Sequence, residues 1–370
     1  MRSIRAAGIE LGSMALRNAS RRSPWAAHRH RALLSVVLHG LTVVVMQGEA
    51  SEAQVQESSA GCGAVLAETI RVGQTTAHTM THTGVDRSFH LHVPSAYRHD
   101  TPAAVILAFH GWGGTGVSMV ERLEAEAGAS NFLVVGPDGL AENLYRSWNG
   151  GGTTQSPYPG PLGPTCDISA SQTYCYDSCA ARSEGCRPCD WTTCHDDVAF
   201  VGELLDWLEA RLCLDLERVY AIGYSNGATF TYSVCAALSD RISKCVTNGG
   251  TFHPGFEVAP AKPQSIMHIH GSNDRTCPPD AVSPGANGVP SGDPSEDGWY
   301  YLDVASSLQL WVDTLQASRQ AAGRCVDTEP IDFVAAPSYP TSADGVAGEL
   351  RHCRVSSTLR IASASQYFAA

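Results

Sequence analysis

Positive charge is scarce in this chain beyond its first 31 residues. Those residues hold seven arginines against a single acid, Glu10, so the remainder is more acidic than the net charge of −12 conveys. An acidic body lacks the electrostatic footprint that nucleic acid or an anionic membrane surface requires, so neither is expected as a stable partner. The expected partner is neutral, or a polymer bound through shape and hydrogen bonds. Long apolar runs are missing as well. The stretch LLSVVLHGLTVVVM, residues 33–46, is short for a bilayer span and is interrupted by His39 and Gly40. No internal repeat is visible, which excludes solenoids and repeat arrays. What remains is a globular composition, 17% charged and 43% apolar, in 370 residues that can bury one large core or two modest ones.

The basic start has an explanation. A charged segment ending HRHRA, the apolar run, and then QGEASEA form the n-region, h-region and small-residue cleavage site of a signal peptide over residues 1–53, with cleavage expected near Ala50 or Ala53. An uncleaved anchor is the alternative. The expected location is extracellular.

Thirteen cysteines fit that location, six of them between Cys166 and Cys194. In a cytosolic chain Cys175, Cys179, Cys186 and Cys189 would have zinc-ligand spacing. After a signal peptide the six read as disulfides holding together an irregular insertion. The odd total leaves one thiol without a partner.

The mature part, residues 54–370, reads as one α/β domain. TAHTMTH and RSFHLHV alternate and are split by Gly84-Val85-Asp86, which predicts an antiparallel hairpin. Continuous apolar runs at 103–109, 132–136, 218–223, 245–250 and 265–271 suit parallel strands buried on both faces. Helical patterns lie between them. The clearest has Val198, Val201, Leu204, Leu205 and Leu208 in one stripe, with Asp196 and Asp197 at its positive end. Alternating elements imply a doubly wound, mostly parallel sheet. Residues 147–194, rich in Gly, Pro and Cys, read as a cross-linked insertion over the carboxyl ends of the strands, where ligands bind.

The chemistry starts from RVYAIGYSNGATF, residues 218–230. A strand meets Gly223-Tyr224-Ser225-Asn226-Gly227 and turns helical, the sharp turn that lifts a serine hydroxyl clear of the backbone. A bare Gly/Ser/Asn turn would share the pattern, but strand before and helix after favour a nucleophile. An oxyanion hole then needs the N–H of Asn226 and another from an earlier strand-to-helix loop. LAFHGWGGTG, residues 107–116, supplies that loop, with the Trp112 N–H as donor. The acid is expected in the turn after a later strand, which selects Asp274 in IMHIHGSNDRTCPPD over its neighbour Asp280. Serine chemistry of this kind calls for no metal or cofactor.

Taken together, FHGWGG, SWNGGG, HDDVAFVGELLD, RVYAIGYSNGATF, HIHGSND and DGWYY resemble the secreted polyhydroxybutyrate depolymerase/feruloyl esterase family of α/β-hydrolases over roughly residues 60–355. The resemblance implies hydrolysis of carboxylic esters, feruloyl or acetyl groups on plant xylan, or polyester chains. It implies Ser225 as nucleophile, Asp274 as triad acid, Trp112 and Asn226 as oxyanion donors, and Trp148 and Asn149 near the substrate. Ala228 stands where most members have a second glycine. The departure is at the end, where the family's strand is followed by a Gly-His turn that supplies the general base. Here GELRHCRVSSTLRIASASQYFAA has no such turn, which reads as a chain cut short after about residue 355. His352, within the strand-like ELRHCRV, is the only histidine after Asp274 and is the candidate base.

Three readings follow. The first is a secreted serine ester hydrolase acting on plant cell-wall xylan, feruloyl or acetyl. The second is a non-catalytic relative that binds carbohydrate or polyester. The third is polyhydroxybutyrate depolymerase or another serine hydrolase, although no long apolar lid is present for a lipase.

Overall fold

In this computed structural model the described residues are 57–154, 160–169, 174–280, 295–321, 333–335 and 350–355. The leader read over residues 1–53 and the last fifteen residues lie outside them. The sheet follows from the apolar runs. Strand β3 (Ala103–Phe109) is buried at every position, and its alternate residues enter two different cores. Val105, Leu107 and Phe109 join the larger one, while Ala104, Ile106 and Ala108 join the smaller. A period-2 chain covered on both faces has no position left for a polar residue, which is why the run reads as continuous.

Nine strands are present among the described residues. Hairpin β1 (Gln74–His82) and β2 (Val85–Val93) forms one edge and pairs antiparallel with β4 (Phe132–Pro137). Then β4, β3, β5 (Leu214–Tyr224), β6 (Lys244–Asn248) and β7 (Ser265–Gly271) run parallel. The far edge is antiparallel: β9 (Leu350–Val355) pairs with β7, and β8 (Phe333–Ala335) with β9. The hairpin turn is Thr83–Gly84, not Gly84–Asp86, since Val85 already pairs with His82. A two-residue turn of this hand needs positive φ at both positions, and Thr83 (48°) and Gly84 (81°) supply it.

Helix α1 (Gly116–Ser130) contributes Met119, Val120 and Ala127 to the smaller core. After the four-residue turn α2 (Asp177–Ala180), the helices α3 (Asp197–Glu209), α4 (Asn226–Ala237) and α5 (Val304–Ala321) face the larger one. No helix among the described residues is long and apolar enough to cross a membrane. The α3 stripe is as expected, but its first two acids divide their work. Asp196 caps the helix, accepting from the Ala199 N–H at 3.0 Å. Asp197 is fully buried and pairs with Arg87 of β2 at 2.8 Å, and Arg87 in turn lies over the Phe200 ring.

The six insertion cysteines pair as Cys166–Cys189, Cys175–Cys186 and Cys179–Cys194, which occupies the thiols a zinc site would have used. Cys235–Cys245 joins α4 to β6, and Cys62–Cys213 ties the start of the domain to the entry of β5. Cys277 is a buried free thiol.

Chain-entropy reasoning ranks these links. Cys62–Cys213 spans 151 residues and Cys235–Cys245 spans 10. Replacing the first pair with alanine is expected to lower the unfolding free energy by about 5 kcal/mol, and the second by about 3 kcal/mol. Denaturant titration of the two double variants checks the order. A larger loss from the shorter loop would contradict it.

Candidate active site

Strand β3 lies between β4 and β5, so the chain winds outward from it in both directions, and a crevice opens where the directions diverge. Register aligns Phe109 with Gly223. The residues just past both strand ends, His110–Trp112 and Tyr224–Ser225, are therefore brought side by side.

The turn at Ser225 is held by contact. A Cβ on Gly223 would lie 2.1 Å from the Gly227 carbonyl oxygen, and one on Gly227 would lie 2.4 Å from that of Phe109. No other side chain fits at either position. Ser225 itself takes φ 53° and ψ −122°, outside the ordinary regions for a side-chain-bearing residue. Its N–H donates to the Asn248 carbonyl at 2.9 Å, while its hydroxyl makes no hydrogen bond among the described residues. Ala228, where a second glycine was expected, is fully buried in α4 and the turn accommodates it.

The loop after β3, residues 110–115, is oriented from behind. The Gly111 carbonyl accepts from the Gly114 N–H at 2.9 Å and from His110 Nδ1 at 2.7 Å, while His110 Nε2 accepts from the Gly139 N–H. Burial keeps the His110 imidazole neutral, with its pKa below the usual value. In a trans peptide the N–H points opposite to the preceding carbonyl. Fixing the Gly111 oxygen therefore aims the Trp112 N–H the other way. Neither that N–H nor the one on Asn226 finds an acceptor among the described residues. The Asn226 N–H also opens helix α4, where the backbone dipole favours negative charge.

Trp112, Ser225 and Asn226 line one cleft of about 490 Å³. Tyr174 and Trp191 come to it from the insertion, and Trp299 and Tyr301 from the segment that contains DGWYY. These four aromatic residues were not singled out by sequence reasoning. The available signals were the position of the insertion over the strand ends and the resemblance carried by DGWYY. The rings contact one another: Trp112 to Tyr174 at 5.0 Å and Trp191 to Trp299 at 6.2 Å between centroids.

Trp148 and Asn149, expected near the substrate, are not among the residues that line the cleft. Trp148 is fully buried, stacked on Phe230 at 5.0 Å, with Nε1 donating to the His110 carbonyl. Its backbone N–H and carbonyl clamp the Asn226 amide at 2.8 and 3.0 Å. Asn149 donates its N–H to Asp197 and its side-chain amide to the His195 carbonyl. Both residues brace the cleft from outside because their polar groups are consumed by backbone and by the buried Asp197.

Asp274 is in the turn after β7. Its Oδ1 accepts from the N–H groups of Thr276 and Cys277, both at 3.0 Å, and those two residues line the cleft. Burial raises its pKa, but hydrogen bonds from His270 and from the Cys277 and Thr276 N–H groups outweigh burial and hold the carboxyl below its usual range. Burial also pushes the Cys277 thiol up to about 12, so it stays protonated.

The base is a separate matter. Each histidine near the cleft has both ring nitrogens engaged: His110 as above, His253 with Trp191 and Tyr300, and His268 and His270 with each other and with their neighbours. None of them has a nitrogen free for the Ser225 hydroxyl. His352 lies on β9 opposite Ile269, and its side chain is outside the described residues.

A central parallel sheet wound in this order, with a strained serine at the β5–α4 turn, is the α/β-hydrolase fold. No family model matches the chain. The bifunctional acetylxylan esterase/xylanase XynS20E of Neocallimastix patriciarum is 31% identical over 78 residues, covering 21% of this chain and 12% of that protein. The probable feruloyl esterase C of Aspergillus niger is 31% identical over 84 residues, covering 22% and 30% respectively. NocK of Nocardia uniformis subsp. tsuyamanensis, named as an esterase, is 26% identical over 213 residues, covering 56% and 51%. The chain spans about half the length, or less, of the curated relatives it matches. Among solved structures, an acetyl xylan esterase from Aspergillus awamori is similar at TM-score 0.30 and 15% identity, over 48% of this chain and 53% of that one.

Two outcomes test the geometry. Glycine at 225 removes a strained side chain worth about 1–3 kcal/mol and adds unfolded-state entropy of about 0.5–1 kcal/mol. Ser225→Gly is therefore expected to unfold at equal or higher denaturant, and a clear loss of stability would contradict the strain. The second concerns His253, whose pKa burial lowers to about 4. The neutral ring stabilises the fold above the unfolded value near 6.5, and that contribution is lost as pH falls toward 4. The loss of stability from pH 7 to pH 4 is expected to be about 3 kcal/mol smaller in His253→Gln than in the wild type. Equal losses would contradict the buried neutral imidazole.

Proposed function

We propose that this protein is a secreted serine carboxylic-ester hydrolase acting on feruloyl or acetyl esters of plant cell-wall xylan. The observation that carries the reading is the strained Ser225, whose unbonded hydroxyl opens into an aromatic cleft beside the free N–H groups of Trp112 and Asn226. Ser225 Oγ attacks the ester carbonyl carbon and gives its proton to a base. The two N–H groups bind the oxygen that gains negative charge. The bond to the alcohol then breaks, the alcohol leaves with the proton, and water releases the acid from the acyl-enzyme. Asp274, kept ionised, orients and stabilises the imidazole that carries the proton. His352 is the histidine available for that role.

A cleft of about 490 Å³ lined by Trp112, Tyr174, Trp191, Trp299 and Tyr301 is larger and flatter-walled than an acetyl group needs. It suits a hydroxycinnamoyl ring, which gains from stacking as well as from burial. The names of two relatives, a feruloyl esterase and an acetylxylan esterase/xylanase, point to the same substrate class. Five disulfides among the described residues suit an oxidising compartment and support the extracellular reading.

One observation favours a second reading, a protein that binds such esters without turning them over. Among the described side chains, every histidine around the cleft is committed to other hydrogen bonds. Without a base, Ser225 is an ordinary alcohol.

Methyl ferulate and p-nitrophenyl acetate distinguish the two. The hydrolase reading expects turnover of both, with kcat/KM higher for the ferulate. Ser225→Ala should cost at least about 10³-fold, and His352→Ala a comparable factor. Undiminished hydrolysis by Ser225→Ala would overturn the nucleophile. Binding of methyl ferulate with no turnover would favour the second reading.

A further inference from the structure

Strand β7 places two histidines on one face, at positions 268 and 270, both about 1% exposed. The reaction described above uses neither. Buried imidazoles are costly unless every nitrogen is satisfied, and here the satisfaction runs in a line. His270 Nε2 is 2.6 Å from the Cys277 carbonyl, His268 Nε2 is 2.8 Å from His270 Nδ1, and the Tyr232 and Thr247 hydroxyls are each 2.8 Å from His268 Nδ1. A carbonyl only accepts, so His270 Nε2 carries a hydrogen. In the neutral pair the direction is then fixed throughout: hydroxyl to His268, His268 to His270, and His270 to carbonyl.

The two ends of the line are informative. Tyr232 is on α4, two turns beyond Ser225, and Thr247 is on the neighbouring strand β6. At the other end, the same Cys277 whose carbonyl accepts from His270 donates its N–H to Asp274 Oδ1. His270 Nε2 also faces Asp274 Oδ2 at 3.5 Å. The line thus joins the helix that follows Ser225 to the turn that holds Asp274, through groups sealed from water.

We propose that His268 and His270 are positioning residues for Asp274, a hydrogen-bonded strut that fixes the acid's turn relative to the helix behind Ser225. A plain core would hold β7 against α4 with apolar side chains, but it would leave the Cys277 carbonyl unpaired and the turn free to rotate. The consequence for ester hydrolysis rests on the function proposed above, whereas the effect on Asp274 does not.

The test uses the full chain and separates these two. Carbon-13 carboxyl NMR follows Asp274 in the wild type, His270→Gln and His270→Leu. Gln retains a donor toward the Cys277 carbonyl, and Leu does not. The Asp274 titration is expected to move up by at least about half a unit in the Leu variant and to stay near wild type in the Gln variant. The groups that shift Asp274, namely His270 and the Cys277 and Thr276 N–H groups, differ between variants only at position 270. With methyl ferulate, the Leu variant is expected to lose at least about tenfold in kcat with KM within about twofold, and Gln to recover most of it. Nitrogen-15 spectra should show the hydrogen on Nε2 of both histidines. An Asp274 titration unchanged in the Leu variant would overturn the proposal. If His270→Leu does not fold, Thr247→Val combined with Tyr232→Phe removes both hydroxyl donors. Breaking the line at that end is expected to move the Asp274 titration up as well, and a titration unchanged from the wild type would equally overturn the strut. A wild type that fails to hydrolyse methyl ferulate would sink the functional reading and leave the Asp274 measurement to judge the strut alone.

Discussion

The site depends on one close approach of backbone to backbone. At the β5–α4 turn, Gly223 packs against the carbonyl of Gly227, and Gly227 packs against the end of β3. A side chain at either point would push the helix away from the sheet. Because nothing intervenes, the turn is tight enough to force Ser225 to positive φ and to leave its hydroxyl unbonded. The same contact seats α4 beside the loop after β3, so the Asn226 and Trp112 N–H groups border one cleft. Strain at Ser225 is tolerated because the neighbouring packing fixes it: α4 is buried along almost its whole length.

Around that turn the polar groups act as a frame. His110 holds the Gly111 carbonyl, Trp148 clamps the Asn226 amide, and Asn149 reaches the buried Asp197–Arg87 pair. Each of these would be expensive unpaired in the interior; the first two fix the Gly111–Trp112 peptide and the Asn226 side chain, which border the cleft, and the third anchors the segment behind them. The disulfide-linked insertion adds the outer wall. It has no periodic apolar face with which to fold, so cross-links hold Tyr174 and Trp191 over the strand ends.

Much of this was legible in the sequence because the signals are local. Apolar runs marked β3 to β7, glycines either side of Ser225 marked the turn, and Asp274 follows an apolar run in sequence as it follows β7 in the fold. Other features depend on long-range contact and leave no local trace. The resemblance implies Trp148 near the substrate, and its ring is stacked inside on Phe230, about 80 residues away in the chain. Asp197 resembles a helix-dipole residue, yet it answers Arg87 across the core. The Thr83–Gly84 turn differed by one register from expectation because a β-branched residue at positive φ is a poor sequence signal. His268 and His270 lie within the run read as a buried strand, and the pairing shows only when their nitrogens are followed one by one.

The central claim is that Ser225 is a nucleophile whose oxyanion site is built before substrate arrives. Its most direct measurement is a crystal structure of the protein after reaction with a diethyl phosphonate or phosphate ester that mimics the tetrahedral intermediate. The account predicts a covalent bond from Ser225 Oγ to phosphorus, with the phosphoryl oxygen within about 3 Å of both the Trp112 and Asn226 nitrogens. An unmodified Ser225, or an adduct whose phosphoryl oxygen points away from those two N–H groups, would contradict it.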